Sequence, residues 1–200
     1  SHLDLVIVDP DESLNMSPNS LLEEIDDNTL AVIFVGIGGN TQNLIQISEI
    51  CKSHGVPLIV DAAHMGGSRI SPESMPHLGD QADFYCYSFQ AVKNLGIGDS
   101  GMLCFQDSEY VDSISKSRWM GINKTTYDRT KSNKVDSYKW EYDIDRLGFK
   151  YNGNALIAGC CLALLPDLDL RNKYLRSIRD KYCELIGVNE EIKFIIHENV

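Results

Sequence analysis

Two rhythms of apolar residues alternate through the first half of the chain: short uninterrupted runs, and longer stretches with helical spacing. The runs Leu5–Val8, Leu30–Val35, Pro57–Val60, Ala82–Tyr87 and Met102–Phe105 read as strands. A wholly apolar run such as Leu30–Val35 is what a strand needs when both faces of its sheet are covered. Pro18–Ile25 predicts a short helix, with Ser17 as its N-cap and Pro18 in its first turn. Thr41–His54 predicts an amphipathic helix, since Leu44, Ile47, Ile50 and Cys51 share one face and Gly55 offers a left-handed stop. This alternation predicts an α/β fold with a mostly parallel sheet flanked by helices.

The pattern changes after Phe105. Glu109–Arg118 predicts another helix, and Gly121–Glu141 is polar, weakly patterned and reads as a long loop. Asn152–Leu165 and Asp167–Ile186 predict two helices parted at Pro166, whose ring cannot continue a helix interior. Lys193–Ile196 is the last strand candidate.

Composition narrows the class of protein. The 200 residues suffice for one domain with a substantial core, or one domain and part of another. With 43% hydrophobic and 24% charged residues, the chain has a globular composition, not that of a disordered one. It holds no apolar run of about 18 residues, so no membrane-spanning helix is expected. The N-terminus does not read as a signal peptide; it opens on a strand-like run, as a chain starting inside a domain would. The net charge of −11 argues against non-specific binding to nucleic acid or anionic membranes, and leaves room for a locally basic pocket. Six cysteines without a CxxC pair, mostly among apolar neighbours, read as reduced thiols of a cytoplasmic protein. Asn15-Met-Ser17 and Asn123-Lys-Thr125 match the glycosylation sequon and, without a secretory signal, read as chance matches.

Ligands of open α/β sheets bind at the carboxyl ends of strands. Two predicted strand ends here carry reactive groups. Leu58-Ile-Val-Asp61-Ala-Ala-His64 ends a buried strand on an aspartate, which needs a partner there. Tyr87-Ser88-Phe-Gln-Ala-Val-Lys93-Asn94 places a lysine in the loop beyond a hydroxyl, with Gly96, Gly98 and Gly101 following. A carboxylate and an amine on neighbouring strand ends fit pyridoxal 5′-phosphate (PLP) chemistry. The carboxylate keeps the pyridine nitrogen protonated, and the amine binds the aldehyde and later carries a proton. Residue type and spacing alone favour a plain salt bridge. Gly96-Ile-Gly98-Asp-Ser-Gly101 also satisfies GxGxxG, but a dinucleotide loop follows a strand and opens a helix, whereas this one precedes the predicted strand Met102–Phe105.

Taken in order, Asp61-Ala-Ala-His64, Ser88-Phe-Gln-Ala-Val-Lys93-Asn94-Leu and Gly98-Asp-Ser-Gly101-Met resemble the DegT/DnrJ/EryC1/StrS family of PLP-dependent sugar aminotransferases. That family carries (E/V)DAA(Q/H) and SF(H)xxKN(L)xxGEGG at these points. Leu147-Gly-Phe-Lys150-Tyr-Asn152, with Ala158-Gly-Cys-Cys-Leu-Ala-Leu-Leu165, is similar to its LGY(N/K)Y(N/R)MTxxQAALGLxQL segment. The resemblance runs from Asp4 to about Leu170. It implies an incomplete fold-type-I PLP-binding large domain over residues 1–150, then linking helices and the start of the small C-terminal domain over 151–200. The family's phosphate-binding loop and ring-stacking aromatic would precede Ser1. It also implies a cytoplasmic homodimer that moves an amino group from an amino acid, glutamate foremost, to a nucleotide-linked keto-sugar.

The resemblance assigns roles residue by residue. Lys93 forms the Schiff base with PLP and then acts as the proton-transfer base. Asp61 pairs with the pyridinium nitrogen, His64 sits by the ring or its O3′ oxygen, and Ser88 contacts the phosphate. Lys150 stands where the family has Asn or Lys, reaching the partner subunit's phosphate in a shared active site. The departures are Asp99-Ser100 for the family's Glu-Gly, Gly153-Asn154 for Met-Thr, Met120-Gly121 for a His-Gly pair, and Ile157 for a glutamine. Two other readings stand beside this one. A sugar dehydratase of the same family would have histidine in place of Lys93, and a catalytically incomplete binding or remnant module would keep the fold alone.

Overall fold

Val32–Val35 (β1), Leu58–Asp61 (β2), Phe84–Ser88 (β3) and Gly101–Phe105 (β4) form a four-stranded sheet in that order. β1 pairs with β2 and β2 with β3 in parallel; β4 runs antiparallel to β3 at the edge. The expected mostly parallel α/β sheet is therefore present. The structure is a computed structural model and describes residues 3–71, 78–123, 142–187, 191, 192, 194 and 195. Most of the segment read as a loop (124–141), Lys193 and Ile196 of the last strand candidate, and two residues of the second sequon lie outside these. The chain divides into two compact units, Ser1–Gln106 with Ala155–Val200, and Asp107–Asn154.

Alternation along β1 sets the sides of the sheet. Val32 and Phe34 are 5% and 0% exposed, whereas Ile33 and Val35 are 57% and 41% exposed. The register carries this across the sheet, aligning Phe34 with Val60 and Val60 with Tyr85. These residues pack with Leu21 of α1 (Pro18–Glu24) and with Leu44, Ile47 and Cys51 of α2 (Leu44–His54) in one core. The other face carries Ile33, Val35, Asp61 and Cys86. The cover on both faces expected from Leu30–Val35 is thus not found among the described residues, and alternate apolar side chains remain open.

Local chemistry explains the element ends. Ser17 Oγ accepts the Ser20 N–H at 3.3 Å and caps α1, with Pro18 in the first turn. Gly55 stops α2 in the left-handed region (φ 67°). α2 starts at Leu44, not Thr41, because Asn43 is itself left-handed (φ 70°). Asn43 Nδ2 donates to Asp11 Oδ2 at 2.6 Å and to the Met16 carbonyl at 3.1 Å. β3 starts at Phe84, not Ala82, because the Gln81 and Ala82 N–H groups donate to the Tyr85 hydroxyl at 3.0 and 2.9 Å. Leu5–Val8 forms no strand: it is largely exposed and enters no ladder among the described residues. A strand exists only where a neighbour takes its backbone groups, which an apolar run by itself does not supply.

In the second unit, α3 (Tyr110–Ser117) places Lys116 between Asp112 (2.8 Å) and Asp145 (3.0 Å). Gly121 there is left-handed, and an added Cβ would meet the Arg146 carbonyl, so no other residue fits. Back in the first unit, α4 (Ala155–Leu164) and α5 (Leu168–Ile186) are parted by a 3₁₀ turn at Pro166, as the proline predicts. No described helix is long and apolar enough to cross a membrane.

Candidate active site

Asp61 is the last residue of β2, in register with Val35 of β1 and Cys86 of β3. Ser88, the last residue of β3, lies two positions beyond Cys86 and so shares the sheet face of Asp61. Parallel pairing therefore delivers a carboxylate and a hydroxyl to the same end and the same open face. The Asp61 side chain is half-buried. Its Oδ1 accepts the Ala63 N–H at 3.0 Å, and its Oδ2 has no hydrogen-bond partner among the described residues. The carboxylate is felt nearby: burial pushes the Cys86 thiol pKa up, and the charge of Asp61 adds to that, followed by Cys104.

His64 follows on the loop after β2. Its Nδ1 accepts the Gly38 N–H at 3.3 Å, which puts the ring proton on Nε2 and leaves that nitrogen as a donor. Gly38 lies in the turn Ile37–Gly39 after β1, so two strand-end loops meet through this bond.

Lys93 sits in the connection between β3 and β4. The Phe89 N–H donates to the Ser100 carbonyl (2.9 Å), Ile97 N–H to Phe89 (3.0 Å) and Lys93 N–H to Gln90 (2.8 Å). Ser88 Oγ accepts the Gln90 N–H at 3.3 Å. Gly96 is needed, because a Cβ there would lie 2.3 Å from the Ala91 carbonyl oxygen. The Lys93 side chain is half-buried, and its amine has no ion pair or hydrogen bond among the described residues. The salt bridge to Asp61 that residue types alone would favour is not formed. The backbone at Ser100 is not left-handed, so this residue replaces the family's glycine without strain. Met120 and Gly121, in place of the family's His-Gly pair, are both left-handed (φ 56° and 75°). The GxGxxG match lies between β3 and the antiparallel β4 and opens no helix.

The structure thus brings Asp61, His64, Ser88 and Lys93 into one compact unit. Lys150 belongs to the other unit, where its backbone bridges to Trp119 and its Nζ lies 5.9 Å from the Trp119 ring centroid. Sequence reasoning missed Asn94, whose Nδ2 donates to the Gly66 carbonyl at 3.2 Å and ties the lysine loop to the histidine loop. Its signal was its place after Lys93 in the motif that resembles the family's KN pair.

PLP carries an aldehyde, a pyridine nitrogen, a ring oxygen and a phosphate. The Lys93 amine and Asp61 Oδ2, both without partners among the described residues, together with the His64 Nε2–H and the Ser88 hydroxyl, offer groups of matching chemistry, so the residues present fit that cofactor.

Comparison with known proteins identifies the family of the chain. The sequence profile of the DegT/DnrJ/EryC1/StrS aminotransferase family matches residues 2–199. The spore coat polysaccharide biosynthesis protein SpsC of Bacillus subtilis is 32% identical over 178 residues, which are 88% of this chain and 44% of SpsC. Among solved structures, the sugar aminotransferase CalS13 from Micromonospora echinospora is 25% identical, with a TM-score of 0.71 over 91% of this chain and 48% of that one. The putative sugar aminotransferase Spr1654 from Streptococcus pneumoniae, in its PMP form, has a TM-score of 0.74 at 22% identity, covering 90% of this chain and 48% of its own. That last likeness is one of fold. The chain spans less than half the length of each of these three relatives.

Proposed function

Because the chain belongs to the DegT/DnrJ/EryC1/StrS aminotransferase family, we propose that it supplies the Asp61–Lys93 half of a PLP site in a sugar aminotransferase. The reaction moves an amino group from an amino acid, glutamate foremost, to a keto-sugar carried on a nucleotide. Residues 1–150 serve as the cofactor-binding part, and 151–200 lead into the smaller domain. The observation that carries this reading is a pair of groups without partners among the described residues, Asp61 Oδ2 at the end of β2 and Lys93 Nζ in the loop that follows the adjacent parallel strand β3.

When bound, PLP supplies an electron sink that stabilises negative charge on the carbon bearing the amino group. The chain's own residues do the rest. Asp61 Oδ2, already oriented by the Ala63 N–H on its twin oxygen, holds a proton at the pyridine nitrogen. Lys93 Nζ is the cofactor's covalent anchor and the amine that carries a proton to and from the substrate carbon. His64 Nε2–H donates to the ring oxygen, and the Ser88 hydroxyl donates to the phosphate. Lys150 reaches the phosphate of the partner subunit. A lysine at position 93 favours amino transfer over sugar dehydration. SpsC's role in polysaccharide biosynthesis and CalS13's sugar amination support a sugar as acceptor.

The test is spectroscopic. Full-length protein with added PLP should gain a visible absorption band, and borohydride should fix the label on Lys93. Lys93→Ala should abolish both and lower amino transfer by about 10²–10⁴-fold. A missing band, or a label on another lysine, overturns the reading. A labelled protein that transfers no amino group is the binding module instead.

A further inference from the structure

Asn172 is the buried residue of α5, at 5% exposure. Its Nδ2 donates to the Gly66 carbonyl oxygen at 2.9 Å, the same oxygen that takes Asn94 Nδ2 at 3.2 Å. Both lone pairs of one carbonyl are thereby used by two side-chain amides. The neighbouring Gly67 is left-handed (φ 91°), and a Cβ there would lie 2.1 Å from Asn172 Nδ2, so the approach needs glycine. Asn172 Oδ1 is buried and has no hydrogen-bond partner among the described residues. Burying an acceptor without a partner destabilises a fold, and an apolar side chain would fill the position without that cost. The amide at 172 therefore matters for its donor.

We propose that Asn172 is a positioning residue for the cofactor site. It clamps the Gly66 carbonyl, and through it the loop carrying His64 and the turn carrying Lys93. Gly66 lies two residues after His64, and Asn94 directly follows Lys93, so one peptide oxygen sets the spacing of the two loops. With the Asn172 donor removed, the Gly66 peptide is free to turn, Asn94 loses its fixed acceptor, and the Lys93 amine samples more positions relative to Asp61. This inference rests on the PLP reading for its consequence, though not for the clamp itself.

Full-length Asn172→Leu and Asn172→Asp remove the donor in different ways. Three readouts are measured: hydrogen exchange at the Lys93 and Ile97 amides without cofactor, the PLP dissociation constant, and the pH at which the visible band shifts. Each variant should exchange faster at Lys93 and Ile97, bind PLP about tenfold more weakly, and shift the band's pH response. Exchange in β1 and β2 should stay unchanged. The double variant Asn94→Ala/Asn172→Leu should lose no more than about the larger single loss, because both amides act through one oxygen. Asn172→Ala, which removes the donor without added bulk or charge, should give the same pattern if Asn172→Leu or Asn172→Asp fails to fold. Unchanged exchange and affinity overturn the clamp. So does exchange that rises equally in β1 and β2, which marks a general stabilising role. So do additive losses in the double variant. A wild-type protein that binds no PLP overturns the proposed function, while exchange in the cofactor-free protein still decides the clamp.

Discussion

Asp61 ends β2 with one carboxylate oxygen held by the Ala63 N–H and the other without a partner among the described residues. Removing the charge while keeping the shape isolates its contribution. Asp61→Asn should weaken PLP binding to the full-length protein by about 10- to 100-fold in a titration, the loss expected for one charge-assisted hydrogen bond. Cys51 makes a separate prediction about folding. Burial, and then the charge of Asp83, pushes its thiol from 9.0 up to about 11. The folded state thus keeps a proton that the unfolded chain releases earlier. Its contribution to stability is full below the unfolded pKa and is lost as pH rises through about 11. Denaturation followed from pH 8 upward should show this fall, and Cys51→Ala should flatten that part of the curve. At this scale Lys93, Asp61, His64 and Ser88 could be named as candidates because they stand in ordered motifs that resemble the family's. The bond from Gly38 to His64 joins residues 26 apart and was not legible in the sequence.

The β3–β4 connection is the element that aims Lys93, and its shape depends on Gly96. Gly96→Ala puts a methyl 2.3 Å from the Ala91 carbonyl, so the backbone must move. A loss of about 1–3 kcal/mol in stability is expected from such overpacking, with weaker PLP binding, measured by denaturant unfolding and titration. Ser17→Ala, away from the site, should cost about 1 kcal/mol and leave PLP binding intact. Ends set by local chemistry, such as the Ser17 cap, the Gly55 stop and the break at Pro166, could be read from the chain. The start of α2 depends on Asp11 meeting Asn43, and the start of β3 on the Tyr85 hydroxyl turning back to Ala82. The first joins residues 32 apart, and the second, though only three residues long, is a backbone-to-hydroxyl turn that apolar periodicity does not register.

Across the whole molecule, apolar surface is left open on the Ile33–Val35 side of the sheet and around α4, none of whose residues is buried. A helix apolar on all sides is normally covered. This fits the proposed homodimer with shared sites, in which Lys150 serves the partner's phosphate. Mixing inactive Lys93→Ala and Lys150→Ala subunits should restore transfer through hybrid dimers that hold one intact site. Failure to restore activity, with subunit exchange confirmed by mass, rejects the shared site.

By itself the sequence determined the α/β rhythm, most element types, and which residues carry reactive groups, because periodicity and side-chain chemistry are local properties. It also carried the family, since ordered motifs survive in one dimension. Only the tertiary structure decided that Leu5–Val8 stays out of the sheet and that one sheet face lies open. It alone left Lys93 unpaired with Asp61 and brought Asn94 and Asn172 to a single carbonyl. Each of these depends on which distant backbone group comes within hydrogen-bonding range, and that follows from packing.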